Sequence, residues 1–173
     1  EEVADEEAAL AGARDILAEQ IADDAALRGQ LRTLYQKKGV LETKATDDTA
    51  QSVYEGYYDY TESVAKAAGH RVLAIDRGER EKILRVSVQV PPEQAQAIVL
   101  RFAVKNHSAA AQQVQQAALD ALSRLIAPSL EREIRSELTQ AACEGAIAVF
   151  GQNLQQLLLH SLAADTQRFA RRM

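Results

Sequence analysis

Apolar positions recur at helical intervals along most of the chain. Between Val3 and Ala22, the residues Leu10, Ala13, Ile16, Leu17 and Ile21 fall on one stripe of a 3.6-residue repeat, with acidic residues at the front end, where the helix dipole favours them. A second helix is predicted after Asp23 and Asp24, which can cap it. Its inward positions are Leu27, Leu31 and Leu34, with Lys37 and Lys38 at its negative end and Gly39 as its stop. Residues 1–39 are therefore expected to form a helical hairpin.

The period changes after Gly39. VLETKAT, residues 40–46, alternates and holds β-branched residues, so it reads as a short strand, and TDDTAQS after it reads as a turn or N-cap. ILRVSVQV, residues 83–90, alternates strictly and is expected to pair with 40–46. Such a two-stranded element needs helices to cover it. Before it, HRVLAIDRGE suits a helix or turn closed at Gly78. Pro91 and Pro92 end the second strand and open a short helix through EQAQAIVLRFAV, since proline tolerates the first helical position. Residues 40–108 thus form a mixed segment. From residue 109 the pattern is helical throughout: Val114, Ala118, Leu122 and Leu125 make one stripe up to Ile126. Pro128 is predicted to break it and start another helix, about 40 Å long at 1.5 Å per residue, carrying Leu130, Ile134, Leu138, Ala142, Ile147, Phe150, Leu154, Leu157 and Leu158. Gly145 and Gly151 mark a close approach or a bend. The fold class is mainly α: a multi-helix scaffold with a long C-terminal helix and a small two-stranded β element.

Composition sharpens this picture. Of 173 residues 47% are hydrophobic, but aromatics reach only 5% and Trp is absent, which suits close-packed helices better than a β-sandwich. The length fits one compact domain or two small helical lobes. A formal net charge of -5 offers nucleic acid no broad attractive field, so any phosphate contact must be local. His70, His107 and His160 lack the i, i+4 spacing of a helical metal site. Cys143 has no partner for a disulfide; among Ala142, Ala146 and Ile147 it reads as a buried small hydrophobe rather than a reactive thiol. No metal and no cofactor are expected. No stretch reaches the ~20 apolar residues that cross a bilayer, and EEVADEE is the opposite of a signal peptide, so the chain is read as cytoplasmic. Starting in acidic residues without Met, it also reads as a piece of a longer chain.

Little in the chain points to catalysis. Glu131 with Glu133 and Asp23 with Asp24 are paired acids on predicted helix surfaces or caps, with no phosphate loop, nucleophile elbow or histidine dyad beside them. Four of the five tyrosines, Tyr54, Tyr57, Tyr58 and Tyr60, cluster. If their segment is helical, the first three lie near one another; without a basic surround they read as packing residues rather than base-stacking platforms. The densest basic cluster is Arg71, Arg77, Arg80, Lys82 and Arg85, interleaved with Asp76, Glu79 and Glu81. Two readings stand for it. In one, His70 and Arg71 anchor the tyrosine segment, including Tyr58 and Tyr60, to the helices. In the other, Arg71, Arg77 and Arg80 position a phosphate backbone. The interleaved acids favour the anchor.

Three collinear segments carry a resemblance. EEAALAGARDILAEQIADD, then YEGYYDYTESVAKAAGHRVLAIDRGEREKILRVSV, then RLIAPSLEREIRSELTQAACEGAIAVFGQNLQQLLL are similar to the central region of the Tex transcription accessory proteins, the last leading toward an RNase H-like YqgF domain. Here the chain reads HSLAADTQRFARRM instead of the linker and first YqgF strand. The resemblance implies a modular protein that binds nucleic acid, RNA included, chiefly through a C-terminal oligonucleotide-binding barrel. It implies that the YqgF, helix-hairpin-helix and barrel activities do not belong to this stretch. What remains resembles a non-catalytic scaffold, with weak or no nucleic-acid binding of its own. The alternative is an interaction module that docks a protein of the transcription machinery.

Overall fold

A computed structural model describes residues 6–47, 51–105 and 110–170, with side chains described up to residue 159. Residues 3–5 of the segment predicted as the first helix, the middle of TDDTAQS and His107 lie outside the described residues, as does the side chain of His160. Among the described residues the fold is mainly α with one small antiparallel sheet.

Helices α1 (Glu6–Asp23) and α2 (Ala25–Lys38) open the chain. Asp24 caps α2 as its composition predicts, its carboxylate accepting the Leu27 N–H at 2.8 Å. Gly39 ends α2 in extended backbone, with φ -63° and ψ 141°. Its N–H reaches the Tyr35 carbonyl at 2.8 Å, so close that a Cβ at 39 would lie 2.1 Å from that oxygen. Only glycine permits that exit. The inward face of α1 keeps part of the predicted stripe, Leu17 and Ile21, which pack in or against the core, and drops the rest. Leu10 and Ile16 are 49% and 61% exposed, and Ala13 is exposed too, whereas Ala18, Ile21 and Ala22 are buried. Small residues let α1 lie close to its neighbours, and it packs on α5 and the turn after it more than on α2.

Strand β1 (Val40–Ala45) sits at the centre of the sheet, between β2 (Asp59–Ser63) and β3 (Leu84–Gln89). The expected pairing is present, Leu41 opposite Val88 and Thr43 opposite Val86. The sheet has three strands rather than two, because the tyrosine segment is not a helix. After a 3-10 turn at Glu55–Tyr57 it extends as β2, with Tyr60 opposite Thr43 and Glu62 opposite Leu41. Thr43 is fully buried, and its hydroxyl donates to the Tyr57 carbonyl at 2.6 Å, which ties that turn to the sheet.

Helix α3 (Gly69–Arg80) does not close at Gly78. Gly78 lies inside the helix and is buried where a Cβ would meet the Leu84 side chain at 2.7 Å. The turn into β3 is made instead by Lys82, in left-handed backbone at φ 61°. Helix α4 (Pro92–Ala103) starts with proline in its first turn, as expected.

Pro128 does not break the last helical run. Helix α5 (Ala111–Asp120) continues through a π-helical turn, Ala121–Ile126, straight into α6 (Ala127–Ala170). A proline within a helix lacks an N–H and crowds the carbonyl four residues back. The wider turn just before Pro128 accommodates both defects without ending the helix. At 44 residues α6 is about 66 Å long, well beyond the length its pattern suggested. Its first third is the spine of the core: Leu130 and Ile134 are 1% exposed, and with Ile126, Val99, Leu27, Leu31, Ile75 and Val88 they form one cluster running through all three sequence segments. Beyond Ala142, by contrast, Ile147, Phe150, Leu154, Leu157 and Leu158 are exposed, and so is Cys143, which is not the buried hydrophobe its neighbours suggested.

Candidate functional site

The polar chemistry of the chain gathers where α3 lies between the sheet and α6. Glu62 is the focus. It sits on the inward face of β2 with a side chain only 12% exposed, a costly position for a lone carboxylate. Arg71, in the first turn of α3, donates to it through both Nε, at 3.1 Å, and Nη2, one nitrogen to each oxygen. The Tyr60 hydroxyl adds a third bond to Oε2 at 3.0 Å. The Arg71 guanidinium holds the Glu62 carboxyl below the ordinary carboxylate range, with help from Tyr60, against the opposing effect of burial. Burial, followed by the hydrogen bond to Glu62, raises the Tyr60 phenol above its ordinary value. Tyr57 meets Tyr60 edge to face, ring centres 5.4 Å apart.

The other named residues lie apart from this clasp. The Tyr58 hydroxyl is 2.9 Å from the Ser52 hydroxyl, and its carbonyl accepts the Ala45 N–H. His70 is exposed and faces away, lining a groove of about 600 Å³ with Leu73 of α3 and Ala142, Ala146, Phe150 and Asn153 of α6. Arg77 and Arg80 are exposed near the far end of α3. At 100° per residue Arg80 projects roughly opposite to Arg71, so the three arginines do not share a face. Arg77 pairs with Glu81 at 3.0 Å, and the same carboxylate engages the buried Tyr54 hydroxyl. Arg80 Nε lies 3.4 Å from the Asp76 carbonyl, at the limit of a hydrogen bond.

A second set of contacts, which the sequence pattern did not single out, fastens α3 and the sheet to α6. Arg135 grips Glu79 with both terminal nitrogens, and the Thr139 hydroxyl donates to Asp76 at 2.6 Å. Two of the three acids that dilute the arginine cluster, Asp76 and Glu79, are thus partners of α6. Glu131, one of the paired acids, accepts the Val88 N–H at 2.9 Å and so occupies a donor on the outer edge of β3. Its neighbour Glu133 takes Arg28 of α2 at 2.5 Å, and Glu137, one turn on, takes Arg32. Among the described residues no group of three or more His, Cys, Asp or Glu is placed to hold a metal ion, and no helix is long and apolar enough to cross a membrane.

Known proteins share this architecture's sequence. A family model described as Tex central region-like matches residues 1–150. The chain is 41% identical over 162 residues to an uncharacterized protein, YdcI, of Bacillus subtilis, covering 91% of this chain and 22% of that protein. It is 34% identical over 170 residues to the transcriptional accessory protein Tex of Neisseria gonorrhoeae, covering 92% and 22%. It is 30% identical over 166 residues to the human S1 RNA-binding domain-containing protein 1, covering 87% and 17%. The chain therefore spans about a fifth of the length of these relatives. With the match running through α1, the clasp, the sheet and the packed part of α6, the chain belongs to the Tex central region-like family.

Proposed function

We propose that this chain is a non-catalytic scaffold of a Tex-like, nucleic-acid-associated transcription accessory protein, acting in the cytoplasm and holding the sheet and α3 rigidly on the α6 spine. The carrying observation is that the polar groups where α3 meets the sheet and α6 are engaged with one another. Arg71 and Tyr60 converge on Glu62, and Arg135 and Thr139 converge on Glu79 and Asp76. Groups committed to one another hold elements in place and leave no activated nucleophile or base. The names of relatives, a transcriptional accessory protein and an S1 RNA-binding domain-containing protein, support the association with transcription and nucleic acid. A second reading, a module that docks a protein of the transcription machinery, is favoured by one feature: the exposed apolar residues along the far half of α6.

In the scaffold reading Arg71 is a structural anchor, with Tyr58 and Tyr60 as parts of the segment it anchors and His70 at its margin. The competing assignment makes Arg71, Arg77 and Arg80 a phosphate-contacting set. Arg71→Ala separates the two. As an anchor, its loss leaves the largely buried Glu62 without its cation, so the urea midpoint falls while affinity of the intact protein for nucleic acid is little changed. An unchanged midpoint with a lost, salt-dependent affinity would overturn the anchor and move Arg71 to a binding surface.

A further inference from the structure

The sheet has two edges, β2 and β3, and the fold treats them differently. On β3 the Thr46 N–H donates to the Ile83 carbonyl, so by alternation Arg85 and Ser87 bond β1 while Val86 and Val88 turn their main chain outward. Helix α6 closes that edge with two side chains one turn apart. Glu131 accepts the Val88 N–H at 2.9 Å, and Arg135 donates to the Val86 carbonyl at 3.4 Å. On β2 the Ala45 N–H donates to the Tyr58 carbonyl and the Val64 N–H to that of Gly39, so Tyr60 and Glu62 bond β1 and Asp59, Thr61 and Ser63 turn outward. Among the described residues, no hydrogen bond from outside the sheet reaches the main chain of these three.

Edges are ordinarily guarded by lysine, proline, a bulge or an inward charge. Strand β2 reads DYTES and pairs with β1 in unbroken register, so it has none of the first three. Its inward charge, Glu62, is already matched to Arg71. The local charge selects what can be added. From residue 45 to residue 65 the chain holds five acids, Asp47, Asp48, Glu55, Asp59 and Glu62, and no Lys, Arg or His. Lys44, the cross-strand neighbour of Asp59, is bonded to Glu42 at 2.9 Å. We propose that the outer edge of β2 takes up an extended, cationic segment of a partner protein as a fourth strand. Main-chain bonds to Asp59, Thr61 and Ser63 hold it, and its basic side chains lie on the outer face of the sheet beside Asp59. A second copy of this chain, β2 against β2, would set one acidic stretch on another and is disfavoured. The inference goes beyond the scaffold reading and does not depend on it.

The probe is a short peptide alternating lysine and valine, capped at both ends, titrated at low salt into the 173-residue chain. Binding is expected to slow amide exchange at Thr61 and Ser63 more than at Tyr60 and Glu62, which are already bonded to β1. Two further peptides carry methyl groups on the backbone nitrogens of the lysines or of the valines. Only one of these sets faces β2, so one peptide should bind at least about tenfold more weakly and the other nearly as well as the parent. A peptide with glutamate in place of lysine should not bind. Asp59→Lys should weaken the lysine peptide by roughly two- to fivefold, the worth of an exposed ion pair. Thr61→Pro removes an outward N–H and spares the bonds to β1, so it should weaken the peptide as methylation does. The methylated peptides test the same bonds without altering the chain. No binding of the lysine peptide, equal affinities for the two methylated peptides, or equal binding of the glutamate peptide overturns the proposal. So does slow exchange at Thr61 and Ser63 in the chain alone: at every concentration it means that the edge is covered from within, and only at high concentration that a second copy covers it.

Discussion

At the scale of single residues, Glu62 shows how one buried carboxylate organises its surroundings. Its folded form is more acidic than the unfolded chain's, chiefly because of Arg71. Such a group contributes stability that is present above the unfolded carboxylate value, about 4.3, and is lost as pH falls through the lower folded value. The urea midpoint of wild type is therefore expected to drop on acidification through that window. Glu62→Gln should start lower at neutral pH and change less over the same range; parallel pH profiles for the two proteins would show that Glu62 is not the responsive group. Lys82 offers the opposite case, a residue whose backbone works against it. A side chain at φ 61° costs about 1–2 kcal/mol, and glycine relieves this at an entropic cost of about 0.5–1 kcal/mol. Lys82→Gly is thus expected to stabilise the fold by about 0.5–1 kcal/mol, read as a higher urea midpoint. A destabilised variant would mean that the lysine side chain makes a contact worth more than its strain.

At the scale of elements, periodicity made much of the fold legible. The cap at Asp24, the stop at Gly39, the proline start of α4 and the pairing of 40–46 with 83–90 each follow from local rules that the structure obeys. What the pattern concealed has physical causes. The third strand is only five residues long and follows a 3-10 turn, so tyrosines at helical spacing masked its alternation. Its signal was Tyr60 and Glu62 two apart, one face of a strand, with a carboxylate that needs a cation. Arg71 and Tyr60 could be named from sequence, but Glu62, which joins them, could not be placed until β2 was known. In α1 Leu10 and Ile16 misled, because Ala18 and Ala22 share the close contacts with Ile21. A π-helical turn has no sequence signature beyond the proline it absorbs. The value of Glu131 was equally invisible, since it lies in a tertiary contact with β3. Removing it by Glu131→Ala should leave the Val88 N–H without its acceptor, at about 1–3 kcal/mol. Amide exchange at Val88 is expected to accelerate by more than that at Val86; equal protection in both proteins would mean that solvent or a neighbour replaces the carboxylate at no cost.

At the scale of the whole molecule, charge decides what the chain does alone. Its net charge is -5, and many of its arginines are already matched to carboxylates. Arg28 faces Glu133, Arg32 faces Glu137, Arg71 faces Glu62, Arg77 faces Glu81, Arg124 faces Asp120 and Asp15, and Arg135 faces Glu79. A phosphate would have to displace an internal partner to reach these guanidiniums, so each exchange of anions gains little. The logarithm of affinity for duplex DNA falls with the logarithm of salt concentration at a slope of about 0.9 per phosphate neutralised. Titration of the chain with labelled single- and double-stranded DNA and RNA is therefore expected to give weak binding, with no more than about two phosphates neutralised. A protein built as a nucleic-acid clamp neutralises on the order of six to ten. A steep slope in that higher range would mean that the acids paired with these arginines yield to phosphate, which would make α2, α3 and α6 a binding surface rather than a frame. A shallow slope, together with a slope in the high range for a longer relative such as the Neisseria protein, would place the phosphate contacts outside the stretch the two chains share.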